Sequence, residues 1–141
     1  MIGLIAAFAL FEASGLPQAP DVSPIQLGED VFLAGGCGGF GWTVDLQQEP
    51  WLFGAYFAAH PDTPPEQIRS AAREGGLGLR ARLEAELDEI HDTAAFRVWA
   101  AGIEARCDRI TRDYPTLLRR SDDTPARWAA ARARFEERYA E

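Results

Sequence analysis

Cys37 is the residue whose type and setting come closest to those of a catalytic group. It lies in a glycine-rich stretch, residues 35–41, where a thiol would be accessible and neighbouring backbone amides could form an oxyanion hole. His60 or His91 would then act as the base, and Asp45 could orient the imidazole. The stretch offers neither a cation nor a helix start to activate the thiol. A small cysteine-dependent hydrolase or transferase is therefore the alternative prediction.

Two further patterns resemble ligand sites but lack the partners that such sites need. Residues 36–41 match G-x-G-x-x-G, yet they lead into strand-like residues 42–46 and not into a helix. The chain contains no lysine, which excludes Walker-type and kinase-type phosphate sites. Glu84, Asp88 and His91 are spaced along one helical face, but a bundle metal site needs equivalent ligands from other helices. We predict no metal and no cofactor.

Aromatic residues between positions 40 and 57 provide the leading hypothesis about function. Packing in the core is the commoner role of such residues. If one face is exposed, aromatics beside carboxylates and without nearby cations suit a basic or apolar protein partner. We predict a non-catalytic protein–protein interaction protein: an adaptor, an inhibitor or immunity-type protein, or a subunit of a larger assembly. The predicted binding residues are Trp42, Asp45, Trp51, Phe53 and Tyr56.

Charge is divided unevenly along the chain. All 14 basic residues are arginines at position 69 or later, whereas residues 1–68 carry eight acids and no basic side chain. The net charge of −8 argues against general binding to nucleic acid or to an anionic membrane, since both need clustered cations. The acidic first half is consistent with an acidic, aromatic binding surface.

Three segments of the first half carry the local signals of strands. Residues 31–34 form a short apolar run, residues 40–46 alternate at period two, and residues 51–58 are an aromatic run after a turn. Strands followed by helices predict an α+β fold. We expect one domain over residues 1–141, with a small antiparallel β-sheet in the acidic residues 1–60 packed against three to four helices in residues 61–141.

Helix signals are clear after His60. Thr63 is a suitable N-cap, and Gly75 with Gly76 should end the first helix near residue 74, before a second helix with an apolar stripe over residues 79–90. Asp92 or Thr93 should cap a third helix that Pro115 stops. Thr124 should cap the last helix, with Pro125 at its first position.

The stripe of the third predicted helix, residues 96–114, has nearly heptad spacing. Its main interpretation is an intramolecular core. The alternative is the seam of a homodimer.

The two cysteines and the first residues bear on the cellular compartment. One bridge between Cys37 and Cys107 could form, but two free thiols in a reducing cytoplasm are the simpler interpretation. Residues 1–13 are apolar and fit a buried helix, a buried strand or an export signal that lacks a basic leading region. We predict a cytoplasmic protein.

Overall fold

A computed structural model describes residues 18–139 of the chain. The described residues form five α-helices, which together with two short 3₁₀ turns account for 74% of them. The helices are α1 (Pro24–Gly38), α2 (Glu49–Ala59), α3 (Pro65–Asp88), α4 (Thr93–Asp113) and α5 (Thr124–Glu136). The 3₁₀ turns are Leu46–Gln48 and Glu137–Tyr139. Residues 1–13, for which helix, strand and export signal were all considered, lie outside the described part.

The predicted α+β fold is wrong, because the first half is also helical. The only sheet among the described residues joins β1 (Thr43–Val44) to β2 (Leu118–Arg119) in antiparallel register, with Thr43 opposite Arg119 and Val44 opposite Leu118. A sheet of two residues per strand cannot form the layer against which helices pack. Helix packs on helix instead.

Helix α1 replaces the strand predicted over residues 31–34. The Ser23 hydroxyl caps its start by accepting a hydrogen bond from the amide of Gln26 at 3.1 Å, and Pro24 occupies the first turn. Leu27, Ala34 and Cys37 then recur at helical spacing and are buried. An apolar run of four residues fits either a strand or a helix. Here the Ser23 cap and the helical spacing of the buried residues favour the helix.

Helix α2 replaces the strand predicted over residues 51–58. Glu49 and Pro50 lie in its first turn, where an acid and a proline are both favourable. Leu52 and Tyr56, four residues apart, are the side chains that it buries. The Tyr56 hydroxyl donates to the carbonyl of Val22 at 2.6 Å and so ties α2 to the residues before α1.

Helix α3 is continuous through Gly75 and Gly76, where two separate helices were predicted. A Cβ atom on Gly75 would lie 2.1 Å from the Ile25 carbonyl oxygen, and one on Gly28 would lie 1.7 Å from that of Ala72. These glycines therefore permit backbone-to-backbone contact between α1 and α3. The packing of the two helices outweighs the tendency of glycine to end a helix.

Helices α4 and α5 were predicted with nearly the right boundaries. Asp92 caps α4 by accepting from the amide of Ala95 at 2.7 Å, and α4 ends before Pro115. The N-cap of α5 is Asp123, one residue before the predicted Thr124, whose hydroxyl donates to the Gly41 carbonyl at 2.9 Å. The apolar stripe of α4 is buried within the chain, which accounts for it without a second copy; the homodimer stays a prediction.

The core lies between these helices, and its residues come from all five of them. Trp42 and Trp128 meet edge to face with their ring centroids 5.5 Å apart, which fastens α5 to the loop after α1. No helix within residues 18–139 combines the length and apolarity needed to cross a bilayer.

Candidate binding groove

A groove runs between α2 and α3, with α1 as its floor. The groove has a volume of about 680 Å³. Its apolar lining comes from three helices and the turn before α2: Val31, Phe32, Leu46, Pro50, Phe53, Phe57 and Leu77. We call this surface the α2–α3 groove.

The apolar walls of the groove are unusually exposed. Phe32 is 39% exposed, Leu46 58% and Leu77 55%. These three side chains account for half of the large exposed hydrophobic residues in the described part of the chain. A continuous apolar surface left open to water is typical of an interaction site, whereas single exposed apolar residues are ordinary.

Arginines occupy the α3 side of the groove. Arg69, Arg73 and Arg80 line it, with Glu49 the carboxylate among its lining residues. The Arg69 guanidinium carbon also lies 4.9 Å from the centre of the Phe57 ring, a cation–π contact that joins α3 to α2. Three arginines and one glutamate thus line the groove of a chain with net charge −8, and Arg69 and Arg80 pair with the exposed carboxylates of Glu66 and Glu84.

The predicted binding residues separate into buried and exposed groups. Trp42 and Tyr56 are core residues, and burial is the main cause that raises the pKa of the Tyr56 hydroxyl, with the nearby Asp21 charge second. Asp45 caps the 3₁₀ turn by accepting from the Gln47 amide at 3.1 Å. Phe53 lines the groove, and Trp51 is 61% exposed on another face of α2. The structure therefore does not gather the five residues on one surface.

The residues considered for catalysis are also separated. His60 ends α2, donates from Nδ1 to the Tyr56 carbonyl at 2.9 Å, and lines a hollow beside Ser23 and Pro24 at the start of α1. Cys37 lies at the other end of α1, about 20 Å away along the helix axis. His91 is an exposed residue of the connection between α3 and α4. Neither histidine is thus held where it could serve Cys37 as a base.

Cys37 and Cys107 form a disulfide between α1 and α4, with their Cα atoms 6.0 Å apart. The prediction of two free thiols is wrong. Both residues are fully buried, so the bond joins the helices inside the core. The cysteine-dependent mechanism has no free thiol with which to act in this form.

A buried carboxylate lies on the same pair of helices. Asp30 is 1% exposed; it accepts from Arg109 Nη2 and from the Tyr114 hydroxyl, each at 2.7 Å, and from Gln26 Nε2 at 2.9 Å. Burial first, and then the hydrogen bond to Asp30, raise the pKa of Tyr114 well above its ordinary value. We call Asp30, Cys37, Cys107, Arg109 and Tyr114 the α1–α4 seam. Because its polar groups bond to one another, the seam has a structural role.

No metal-binding cluster of histidine, cysteine or carboxylate side chains occurs in residues 18–139. Helix α3 ends at Asp88, so His91 does not continue the helical face of Glu84 and Asp88.

Sequence reasoning missed Phe32, Arg73 and Leu77, which the groove brings together. Leu77 carried a usable signal, because it lies off the apolar stripe that includes Leu79 on the same helix. The Arg69, Arg73 and Arg80 spacing was a second signal, since it keeps three cations on one face.

Comparison of the chain with protein-family models, curated proteins and solved structures finds no match.

Proposed function

We propose that the chain is a non-catalytic protein–protein interaction protein that binds its partner in the α2–α3 groove. The observation that carries the proposal is that Phe32, Leu46 and Leu77 line the groove and are all exposed. Covering such a surface removes apolar area from water, which favours a complex. Adaptor, inhibitor or immunity-type protein, and assembly subunit all remain within this class.

The openness of the groove favours a macromolecular partner over a small ligand. Small-molecule sites enclose most of the surface of their ligand. Side chains that are half exposed along both walls would leave one side of a small ligand in water. A protein segment covers the groove and its rims together, as in helix-in-groove recognition.

This binding surface replaces the one predicted from sequence. Trp42 and Tyr56 are needed in the core, whereas Phe53 belongs to both the predicted and the proposed surface. No specific observation favours the cysteine-dependent enzyme as a second function, because Cys37 is buried and bonded to Cys107.

The compartment is part of the same proposal. The cytoplasmic prediction depended in part on free thiols, and the Cys37–Cys107 bond removes that premise. Disulfides of this structural kind persist in oxidising compartments, so we propose that the chain works in one. Acid quenching of the native cells, followed by denaturation and alkylation with a mass-tagged maleimide, tests this: an unshifted chain supports the proposal, and a chain carrying two tags contradicts it.

The binding proposal is tested by site-specific photo-cross-linking in cells that produce the protein. A photoreactive residue at Leu77 should capture one discrete protein. The same residue at Val98, which is 76% exposed on α4 and outside the groove, should not capture it. Phe32→Ser should abolish capture from Leu77 while the far-UV circular dichroism is unchanged. Equal capture at both positions, or none at Leu77, would overturn the proposal.

A further inference from the structure

We propose that the segment bound in the α2–α3 groove is an amphipathic helix of the partner that carries acidic residues along one edge. This inference rests on the proposed function and specifies the chemistry of the partner. The contact that defines it is a row of three arginines on α3 facing an acidic edge of the bound helix.

The three arginines lie along one face of α3 over a length that a bound helix could follow. Arg69, Arg73 and Arg80 are spaced i, i+4 and i+11 within α3, so their directions around the axis differ by at most about 40°. They extend over about 16 Å, or three helical turns. A partner helix lying along α3 would meet the row with carboxylates at the same spacing.

The guanidinium groups are available to a ligand. Arg69 pairs with Glu66 and Arg80 with Glu84, and all four side chains are more than half exposed. Exposed pairs of this kind contribute little to stability, so a partner carboxylate can replace the intrachain acid at little cost. Arg73 makes no salt bridge to any residue in the described part of the chain.

Charge complementarity determines the sign of the charge that the bound helix should carry. The chain as a whole is acidic, yet three of the four charged residues that line the groove are arginines. A basic helix would meet this row with like charge, which disfavours binding. The basic partner predicted from sequence is therefore not the partner that we propose for the groove.

The apolar walls decide the rest of the recognition pattern. Phe32 on α1, Phe53 on α2 and Leu77 on α3 all line the groove. A partner helix fills such a cleft with apolar residues at i, i+3 or i+4, and i+7. The acidic edge then lies beside this apolar stripe, next to α3.

Fluorescence anisotropy with labelled synthetic helices tests the inference. The first peptide is Ala-rich, about four turns long, with leucines at i, i+4 and i+7 and glutamates along the adjacent edge. The second peptide has lysines in place of the glutamates. The glutamate peptide should bind at least about tenfold more tightly, and added salt should reduce the difference.

A matched pair of charge reversals assigns the effect to the row. Arg73→Glu should weaken binding of the glutamate peptide by about tenfold, with the far-UV circular dichroism unchanged. Arg134→Glu makes the same change of net charge on an exposed residue of α5 outside the groove, and should change binding less than about twofold.

Three outcomes would overturn the inference. The lysine peptide could bind as well as or better than the glutamate peptide; Arg73→Glu could leave binding of the glutamate peptide unchanged; or light scattering could find a dimer that the glutamate peptide does not dissociate. If any one of these results is found while Leu77 still cross-links to a protein, the acidic-helix inference fails and the proposed function stands. If the Leu77 cross-link is lost, the proposed function itself fails.

Discussion

The α1–α4 seam and the α2–α3 groove share helix α1, but side chains are buried in the seam and exposed in the groove. In the seam, a disulfide and a carboxylate with three donors are almost completely buried. In the groove, apolar side chains remain exposed beside arginines whose ion pairs are on the surface. One face of α1 thus closes the fold and the other remains open.

This difference separates stability from recognition on a single helix. Buried, mutually satisfied groups lose their partners when the chain unfolds, so changes in the seam should alter the free energy of unfolding. Exposed groove residues have similar surroundings in the folded and unfolded chain, so changes there should alter binding alone. Each prediction below tests one side of that separation.

The largest effect on stability should follow removal of the disulfide. Cys37 and Cys107 are 70 residues apart, so breaking their bond frees a long loop in the unfolded state. We expect Cys37→Ala with Cys107→Ala to lower the free energy of unfolding by about 4 kcal/mol, measured by urea denaturation. An unchanged denaturation midpoint would show that the bond does not stabilise the seam.

Two leucines of α3 provide a matched test of the groove. Leu79 is 2% exposed and Leu77 is 55% exposed, two residues away. Leu79→Ala should cost about 3 kcal/mol, because it leaves a cavity in the core. Leu77→Ala should change the free energy of unfolding by less than about 0.5 kcal/mol. Similar losses for both variants in thermal denaturation would contradict the separation.

The buried carboxylate should matter more than any ion pair at the groove. Asp30→Ala leaves Arg109 and the Tyr114 hydroxyl without their acceptor. We expect a loss of about 2 kcal/mol, below the usual value for a broken buried pair, because Arg109 is 35% exposed. The exposed pair of Arg69 and Glu66 supplies the control: Glu66→Gln should cost less than about 0.5 kcal/mol in the same urea titration.

The smallest effect concerns pH. Tyr114 has a raised pKa in the folded chain, so it stays protonated where the unfolded chain ionises, near the ordinary value of 10.0. The unfolded state therefore gains stability first, and folding weakens as pH rises above that value, by at most about 1.4 kcal/mol per pH unit. Tyr114→Phe should reduce this slope between about pH 9 and 11. Tyr56, whose pKa is also raised, should retain part of it.

Helices α4 and α5 were predictable because their ends are encoded locally, whereas α3 was wrongly divided in two at Gly75. Asp92 caps the start of α4 by accepting from the amide three residues later, and Pro115 lies just after its end. Both boundaries of α4 can therefore be derived from a few residues. The α5 start differed by one residue for a similar reason: Asp123 and Thr124 are both good caps.

The first half was not predictable in the same way. Phe40, Trp42 and Val44 alternate as a strand does, yet within this stretch Thr43–Val44 is the pairing segment. Trp42 is buried by Trp128 of α5, a contact across 86 residues of sequence that no local period encodes. Residues 51–58 are apolar on most sides, so their helical period is hidden; the mean hydropathy of α2 exceeds that of the other helices.

Long-range contacts also account for what the sequence did not reveal of the candidate site. Gly75 and Gly76 stay helical because α1 lies against them. The groove floor exists because of that contact, so a derivation that ends the helix at Gly75 cannot find the groove. Cys37 and Cys107 allowed a bridge, but spacing alone could not decide whether α1 and α4 would meet.

The contact of Gly28 with Ala72 has a consequence for how quickly and how tightly a partner can bind. Main chain contacts main chain there, so no side-chain rotamer has to become ordered at this contact when the complex forms. The position of α1, the floor of the groove, relative to α3 is therefore already set in the free protein. An added methyl group at residue 28 would push α1 and α3 apart, so the position of the groove floor depends on residue 28 having no side chain.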